Sequence, residues 1–262
     1  MTKIFKITFI LACAIIMNTL PVHAGIFQGI VAKDGISGQN RVVDSETNAP
    51  ITRAKVTLPQ KGLKTYTDNN GKFNLNTNLN GDTILSVEKQ GYKPFSMTIN
   101  QNTLTKPIIL GIEKSNPHDI KIESGMIHLG DDNYSATSAN AGDFQVKSVG
   151  PYYSKEFKIP SASNNQYLVI GSIIGIDTAM AKSMGQNKIL NAFASAPEIY
   201  FNGNKIADIQ LNGDSQKIHL PQNLIRPNQN NEVTIKTGRN LMQTAYTDYD
   251  DIEFMNLSIE SK

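Results

Sequence analysis

Short apolar runs separated by Asn, Gly, Asp and Pro follow one another through most of the chain after residue 24. Several of them alternate apolar with polar residues, the pattern of a strand with one buried and one solvated face. The best-defined runs are residues 55–58, 72–75, 83–88, 166–170, 198–201 and 232–236. Closely spaced short strands of this kind predict an all-β protein built from antiparallel sandwiches or barrels.

Two local signals refine this pattern. Asn202-Gly203 lies between two apolar runs and predicts a hairpin, because both residues tolerate the positive φ angles of a two-residue turn. Residues 177–197 depart from the strand pattern and fit a short helix or a loop better. We interpret them as a connection over the end of a sandwich, with a ligand-gating loop as the alternative.

A domain boundary is expected near residue 114. The polar residues 114–116 follow the last apolar run of the first half, and Pro117 keeps Asn116 extended. The chain therefore divides into a first domain of residues 25–114 and a second of residues 115–262. We expect two consecutive antiparallel β-sandwiches.

The first 24 residues have the three parts of a secretory signal peptide. Lys3 and Lys6 precede an apolar run over residues 7–17, and the small residues Val22 and Ala24 stand at the cleavage positions. The run is shorter than the roughly 20 apolar residues that span a bilayer, so a retained anchor is the weaker interpretation. The sequence predicts an exported protein, periplasmic, cell-surface or secreted, with no membrane span after signal removal.

Cys13 is the single cysteine of the sequence. Residues 10–13 loosely resemble a lipoprotein processing site, so lipidation is an alternative, although the apolar run continues beyond Cys13. Removal of the signal leaves no thiol and no disulfide, and packing must then stabilise the chain.

The charge of the mature chain is balanced. Of the 25 lysines and arginines, two lie in the predicted signal, and the remainder equal the 23 acidic residues in number. A net charge near zero gives no electrostatic reason to expect nucleic acid or an anionic membrane as a partner.

The first half carries a set of turn and strand motifs. They are Ile36-Ser37-Gly38, Val42-Val43-Asp44, Asn48-Ala49-Pro50-Ile51, Asp68-Asn69-Asn70-Gly71 and Lys89-Gln90-Gly91-Tyr92. Together they resemble the carboxypeptidase regulatory-like domain over about residues 36–111. The resemblance implies a seven-stranded, transthyretin-like sandwich without catalytic residues of its own, which serves as a spacer or a protein contact.

The second half has three anchors, at residues 127–134, 194–207 and 250–259. The order of strands and turns between them resembles the galactose-binding-like jelly roll of many carbohydrate-binding modules. The resemblance implies a carbohydrate or cell-surface glycan as the partner. Such modules can follow a sandwich like the first domain beside polysaccharide-degrading enzymes, which supports a glycan context by analogy only.

Acidic residues flank the first and last strands of this second domain. They are Asp131, Asp132, Asp250 and Asp251, with Glu253 close to the second pair. Because the first and last strands of a jelly roll tend to be neighbours, we expect these acids to converge. Calcium prefers six to eight hard oxygen ligands, so the set predicts a structural calcium site. Solvated acids at strand ends are the alternative.

Sugar binding commonly uses flat aromatic surfaces, and the chain has no tryptophan. Our candidate ligand-binding residues are therefore tyrosines in polar surroundings and an adjacent acid, namely Tyr134, Tyr246, Tyr249 and Asp248. Each tyrosine also fits an ordinary place at the edge or in the core of a sandwich.

The common catalytic signatures are missing from the sequence. It has no nucleophile elbow, no phosphate-binding Gly-rich loop and no paired-histidine zinc motif. His118, His128 and His219 are far apart and lack ligand-like spacing, and we interpret His128 and His219 as structural. We expect a non-catalytic protein that binds carbohydrate through its second domain. Two alternatives are a structural or adhesive surface component with protein partners and a glycan-active enzyme with an unrecognised site.

Overall fold

The computed structural model describes residues 39–133, 144–163, 165–187, 189 and 191–261. The predicted signal peptide and Tyr134 lie outside the described residues. Those residues form fifteen strands and one short α-helix, so the predicted all-β class is confirmed.

The first sandwich has seven strands in two sheets, as predicted. They are β1 (Asn40–Asp44), β2 (Lys55–Leu58), β3 (Leu63–Tyr66), β4 (Lys72–Phe73), β5 (Thr83–Glu88), β6 (Phe95–Ile99) and β7 (Ile109–Ile112). The sheets have the orders β4-β1-β7 and β3-β2-β5-β6, and Val42, Val56 and Leu85 are fully buried between them. One pairing departs from the predicted antiparallel arrangement, since β1 and β7 are parallel while the other strand pairs of this sandwich are antiparallel.

The second sandwich has eight strands. They are β8 (Ile120–Leu129), β9 (Tyr152–Lys158), β10 (Gln166–Ile174), β11 (Glu198–Phe201), β12 (Asn204–Asp208), β13 (Gly213–His219), β14 (Asn230–Lys236) and β15 (Ile252–Ser261). Its sheets have the orders β13-β10-β15-β8 and β12-β11-β14-β9. The first and last strands of this domain, β8 and β15, are neighbours, as the sequence analysis expected.

Two local predictions in the second sandwich are confirmed. Asn202 and Gly203 have φ angles of 48° and 80° and connect β11 to β12 as an antiparallel hairpin. The 177–197 segment contains α1 (Ala179–Ser183), whose N-terminus is capped by the Thr178 hydroxyl.

The remaining helical turns are three short 3-10 helices. They are Pro59–Lys61, Thr103–Thr105 and Gln222–Leu224. None of the described helices has the length and apolar character needed to cross a membrane.

The inner strands β10 and β15 of the sheet β13-β10-β15-β8 are covered on both faces, and we call this sheet the central sheet. Every residue of β15 from Ile252 to Ile259 is buried. One face contributes side chains such as Phe254 to the core of the second sandwich. On the other face Met255 packs with Ile84 of β5, which belongs to the first sandwich. The two sandwiches therefore share a buried boundary, which we call the seam.

The seam is held by polar side chains as well as by apolar packing. Asp214 accepts hydrogen bonds from the backbone N and the hydroxyl of Thr98, each at 2.9 Å, and lies 2.7 Å from the Ser172 hydroxyl. Asn256 Nδ2 donates to Ser86 Oγ at 3.0 Å. These pairs join β6 and β5 of the first sandwich to the central sheet, and they fix its orientation because hydrogen bonds are directional.

At the seam, three neighbouring strands of the central sheet depart from regular strand geometry at adjacent residues. The strand registers place Gly171 opposite both Ser215 and Asn256, which have φ angles of 53° and 59°. Side chains of β15 stop alternating regularly between the two faces of the sheet at this point. Phe254 and Leu257 are three residues apart, yet both face the core of the second sandwich. As a result, the side chain of Asn256 points toward the first sandwich.

We expect Gly171→Ala to weaken the seam. A Cβ at residue 171 would lie 2.5 Å from Ser96 Oγ, 2.7 Å from Asn256 Cβ and 3.0 Å from the Met255 carbonyl oxygen. Overpacking of this kind costs about 1–3 kcal/mol, which urea unfolding would measure. Gly213→Ala in the same sheet is the control, because its Cβ would meet only the movable Gln216 side chain. Equal effects of the two substitutions would contradict a tightly packed seam.

Candidate binding site at the loop end of the second sandwich

Two segments singled out by the sequence meet at one end of the second sandwich. Because β8 and β15 are antiparallel neighbours, the turn after β8 lies beside the segment that precedes β15. Asp131 Oδ2 accepts a hydrogen bond from the Tyr249 backbone N at 3.1 Å, and Asp251 Oδ1 accepts from the Asp132 backbone N at 3.2 Å. We call this region, residues 130–133, 177–187, 189, 191–195 and 238–251, the loop end.

The Asp248 carboxylate is held in a fixed orientation at the loop end. One oxygen accepts from Asn240 Nδ2 at 2.8 Å and the other from Asn133 Nδ2 at 3.3 Å. The same Asn133 amide reaches the hydroxyl of the exposed Tyr246 at 3.4 Å. The structure thus brings together three of the four predicted ligand-binding residues, Tyr246, Asp248 and Tyr249.

A shallow cleft opens beside these residues, with about 210 Å³ of space that includes the open solvent above it. Its lining includes three acids, an amide and two aromatic rings, namely Asp177, Asp248, Asp250, Asn240, Phe193 and Tyr249. The sequence analysis missed Asp177, Phe193 and Asn240 as site residues. The departure of residues 177–197 from the strand pattern was the available signal for the first two.

Asp250 is an acid of the cleft whose pKa is strongly perturbed. It is buried, and its Oδ2 accepts from the Asp177 backbone N at 3.2 Å. Burial and the neighbouring carboxylates, chiefly that of Asp177, hold the pKa of Asp250 well above its usual value. A carboxyl group that keeps its proton can donate a hydrogen bond as well as accept one.

Asp251 faces the seam side of the loop end and pairs with His128. Nε2 of the fully buried His128 lies 2.9 Å from Asp251 Oδ1, and its Nδ1 lies 2.5 Å from the Val146 carbonyl oxygen. A carbonyl oxygen can only accept, so Nδ1 carries a proton. We assign His128 as an imidazolium that donates to the Asp251 carboxylate. Burial opposes this charge, but the hydrogen bonds to Asp251 and Val146 raise the pKa of His128.

Glu253 lies further along β15 and turns toward the first sandwich. It is fully buried, and its Oε2 accepts a short hydrogen bond from Gln60 Nε2. Burial raises the pKa of Glu253 to about 7, although His128 and Gln60 act in the opposite direction. Glu253 is therefore a seam residue.

The five acids predicted to bind calcium have different partners in the structure. Asp131 accepts from Tyr249, Asp250 from Asp177, and Glu253 from Gln60. Among the residues that the structure describes, the closest grouping is His128, Asp132 and Asp251, with ligand atoms within 4.8 Å of one another. Both His128 nitrogens face acceptors and cannot coordinate a cation.

The described side chains therefore do not assemble the six to eight oxygen ligands that calcium prefers. Asp251 Oδ2 and Glu253 Oε1 are buried without a partner among them and are the two acid oxygens that this arrangement leaves unexplained. Calcium binding stays a prediction from the sequence.

Comparison with protein families identifies the first sandwich. Residues 36–119 match the family model of the CarboxypepD_reg-like domain. The match ends where β8 begins, so it covers the first sandwich and not the second. It confirms the resemblance found in the sequence of the first half.

Comparisons with whole proteins are much weaker. No curated protein matches the chain. A β-glucuronidase from Ruminococcus gnavus, solved with uronic deoxynojirimycin, is similar at 13% identity and a TM-score of 0.30, over 56% of this chain and 30% of that one. A candidate carbohydrate-binding protein from Bacteroides uniformis is similar at 10% identity and a TM-score of 0.19, over 86% of this chain and 97% of that one. Likenesses at these TM-scores carry no argument about function.

Removal of the His128 imidazolium should destabilise the protein strongly. His128→Asn would leave the buried Asp251 carboxylate without its counter-charge, and breaking a buried ion pair in this way costs about 3–5 kcal/mol. Urea unfolding measures the loss. His219→Asn is the control, because His219 is exposed on β13 and its substitution should change stability by less than about 0.5 kcal/mol. A loss of less than 1 kcal/mol for His128→Asn would contradict the charged pair.

The same residues predict that stability falls as the pH rises. The folded-state pKa of His128 is raised, so its contribution is complete below the unfolded value of about 6.5 and is lost as the pH passes the folded value. The folded-state pKa of Glu253 is about 7 and its ordinary pKa is 4.5, so ionisation of this carboxyl opposes folding between these two values. Unfolding free energies at about pH 6 and pH 8 should show the decline. Glu253→Gln should make it shallower, and an unchanged slope would contradict the assignment of Glu253.

Proposed function

We propose that this protein is an exported, non-catalytic binding protein that recognises carbohydrate at the loop end of its second sandwich. The strand pairing of that sandwich supports the proposal. Its eight strands pair first with last, second with seventh, third with sixth and fourth with fifth. This nested pairing supports the jelly roll that we propose for the second sandwich, an architecture used by lectin domains. A fold does not imply a function, so the proposed function depends on the residues of the site.

The cleft at the loop end is the observation that carries the proposal. Sugar hydroxyls both donate and accept hydrogen bonds, and the cleft offers both partners. Asp248 supplies acceptor oxygens, and Asp250 with its raised pKa can donate a proton in a hydrogen bond. The Tyr249 ring adds a surface for the apolar face of a sugar. Because Asp248 is already fixed by Asn240, little ordering is needed on binding.

The first sandwich would act as a rigid support in this account. Its family contributes a non-catalytic domain, and the seam fixes it to the central sheet through Asp214 and Asn256. The orientation of the loop end relative to the rest of the chain is therefore set by the fold.

A protein-binding role is the second candidate, and exposed apolar side chains favour it. Met180 and Met184 lie in or next to α1, and Leu241 and Met242 follow Asn240 of the cleft. All four are exposed by about half or more of their surface. Exposed apolar side chains that lie close together mark protein contacts in many soluble proteins.

A glycan array probed with the purified protein tests the proposal. We expect binding to a restricted set of glycans with micromolar to millimolar affinity. Tyr249→Ala should weaken it about tenfold, equivalent to about 1.4 kcal/mol, because the substitution removes a ring from the cleft. Tyr152→Ala is the matched control, since Tyr152 is an exposed tyrosine on β9 of the outer sheet.

Three outcomes would overturn this function. The first is an absence of glycan binding, and the second is equal loss of binding in the Tyr249 and Tyr152 variants. The third is turnover of a bound polysaccharide that Asp250→Asn abolishes, which would make the protein an enzyme.

A further inference from the structure

The chain has four Asn-Gly pairs, and the fold places them in different surroundings. They are Asn70-Gly71, Asn80-Gly81, Asn202-Gly203 and Asn212-Gly213. Asparagine is chemically labile, and before a glycine it can lose its side-chain amide without an enzyme. The backbone N of the glycine attacks Cγ of the asparagine, an approach that glycine permits because it has no Cβ. The reaction therefore depends on whether the fold leaves both groups free to meet.

Asn202 and Asn212 are held by hydrogen bonds of their side chains. Asn202 Nδ2 donates to the Leu224 carbonyl oxygen at 2.7 Å, and its Oδ1 accepts from the Glu232 backbone N at 2.8 Å. Asn212 Oδ1 accepts from the Ile176 backbone N at 2.7 Å, and its Nδ2 donates to the Ile176 carbonyl oxygen at 3.2 Å. Both side chains would have to give up these bonds before Cγ could turn toward the following backbone N.

Asn70 is exposed, but the fold holds the glycine that follows it. Gly71 is buried with a φ angle of 71°, and its backbone N donates to the Asp68 carbonyl oxygen at 3.0 Å. A Cβ at residue 71 would lie 2.5 Å from the Val42 carbonyl oxygen, so the main chain is closely packed here. The Gly71 N is therefore occupied and has little room to reach Asn70 Cγ.

Asn80-Gly81 has neither kind of constraint. Asn80 is exposed in the irregular segment between β4 and β5. Its side chain has no hydrogen bond to any residue that the structure describes. The Gly81 backbone N likewise has no backbone partner within the described part of the chain. Asn80 Cγ and the Gly81 N can therefore approach each other by bond rotations in an exposed loop.

We propose that Asn80 is a site of spontaneous covalent modification, at which the Gly81 backbone amide displaces ammonia and water opens the resulting succinimide. In the first step the Gly81 N forms a bond to Asn80 Cγ, the Cγ–Nδ2 bond breaks, and the Gly81 proton leaves with Nδ2 as ammonia. In the second step water adds its oxygen to one of the two ring carbonyl carbons, the bond from that carbon to the Gly81 N breaks, and a water proton returns to this nitrogen. Opening at Cγ gives aspartate, and opening at the main-chain carbon gives isoaspartate.

The modification acts on the loop that leads into the seam. In isoaspartate the main chain passes through Cβ, which adds one carbon between Leu79 and Asp82. Both ends of this short segment are fixed, because Leu79 N donates to Gln101 Oε1 at 2.9 Å and Asp82 Oδ1 accepts from Asn100 Nδ2 at 3.0 Å. The loop continues into β5, whose Ile84 packs in the seam. A longer main chain between fixed ends displaces one of them, so the isoaspartate form is less stable than the parent.

Mass spectrometry of the purified protein, incubated in mildly alkaline buffer made with heavy-oxygen water, tests the proposal. The peptide that contains Asn80 should gain one labelled oxygen in place of its amide nitrogen, and an isoaspartyl methyltransferase should methylate it. In the folded protein Asn80 should react at least about tenfold faster than the other three asparagines, because the bonds that hold their pairs add to the barrier. In urea-unfolded protein the four rates should converge.

Asn80→Ser removes the reactive amide, so the urea midpoint of this variant should stay constant during the incubation while that of the parent falls. Asn70→Ser, at another exposed Asn-Gly pair, is the matched control and should lose stability as the parent does. The proposal is overturned if Asn80 is not the fastest of the four in the folded protein, or if the unfolded protein shows the same preference for Asn80. It is also overturned if Asn80→Ser loses stability as fast as the parent.

Discussion

Burial of the inner strands of the central sheet, β10 and β15, on both faces is the constraint on which the rest of the structure depends. One face closes the core of the second sandwich, and the other meets the first sandwich at the seam. A strand with two buried faces has no solvated side on which to place polar residues. The polar side chains of the seam, Asp214, Ser172 and Asn256, are accordingly paired across it with Thr98, Ser96 and Ser86.

The candidate site at the loop end follows from this sheet. β15 runs through its middle, and the segment that leads into β15 forms the loop end with Asp248 and Asp250. The next residues of the same strand supply the buried pair of Asp251 with His128 and the contact of Glu253 with Gln60. One continuous segment therefore connects the loop end to the seam. A change in the packing between the two sandwiches would therefore alter both the loop end and the seam.

The sequence predicted the features that depend on local chemistry. Strands β2, β5 and β11 have the predicted bounds, and Asn202-Gly203 forms the predicted turn. These features were predictable because the alternation of apolar and polar residues and the preference for positive φ angles each depend on a few consecutive residues. Strand β10 was predicted to end at residue 170 and continues to Ile174, since Gly171 and Ser172 break the apolar pattern while facing the seam. Contacts between residues that are distant in the sequence could not be predicted. Nothing near Glu253 indicates Gln60, and nothing near Asp250 indicates Asp177, so the grouping of the acids required the structure.

The central claim is that carbohydrate binds in the cleft at the loop end, and mapping of backbone amide resonances tests it most directly. The protein would be titrated with the glycan that binds best, and the shifted amides assigned. The account predicts the largest changes at Asp177, Phe193, Asn240 and Tyr249, which line that cleft. Changes confined to the outer sheet around Tyr152, with none at the cleft, would contradict it.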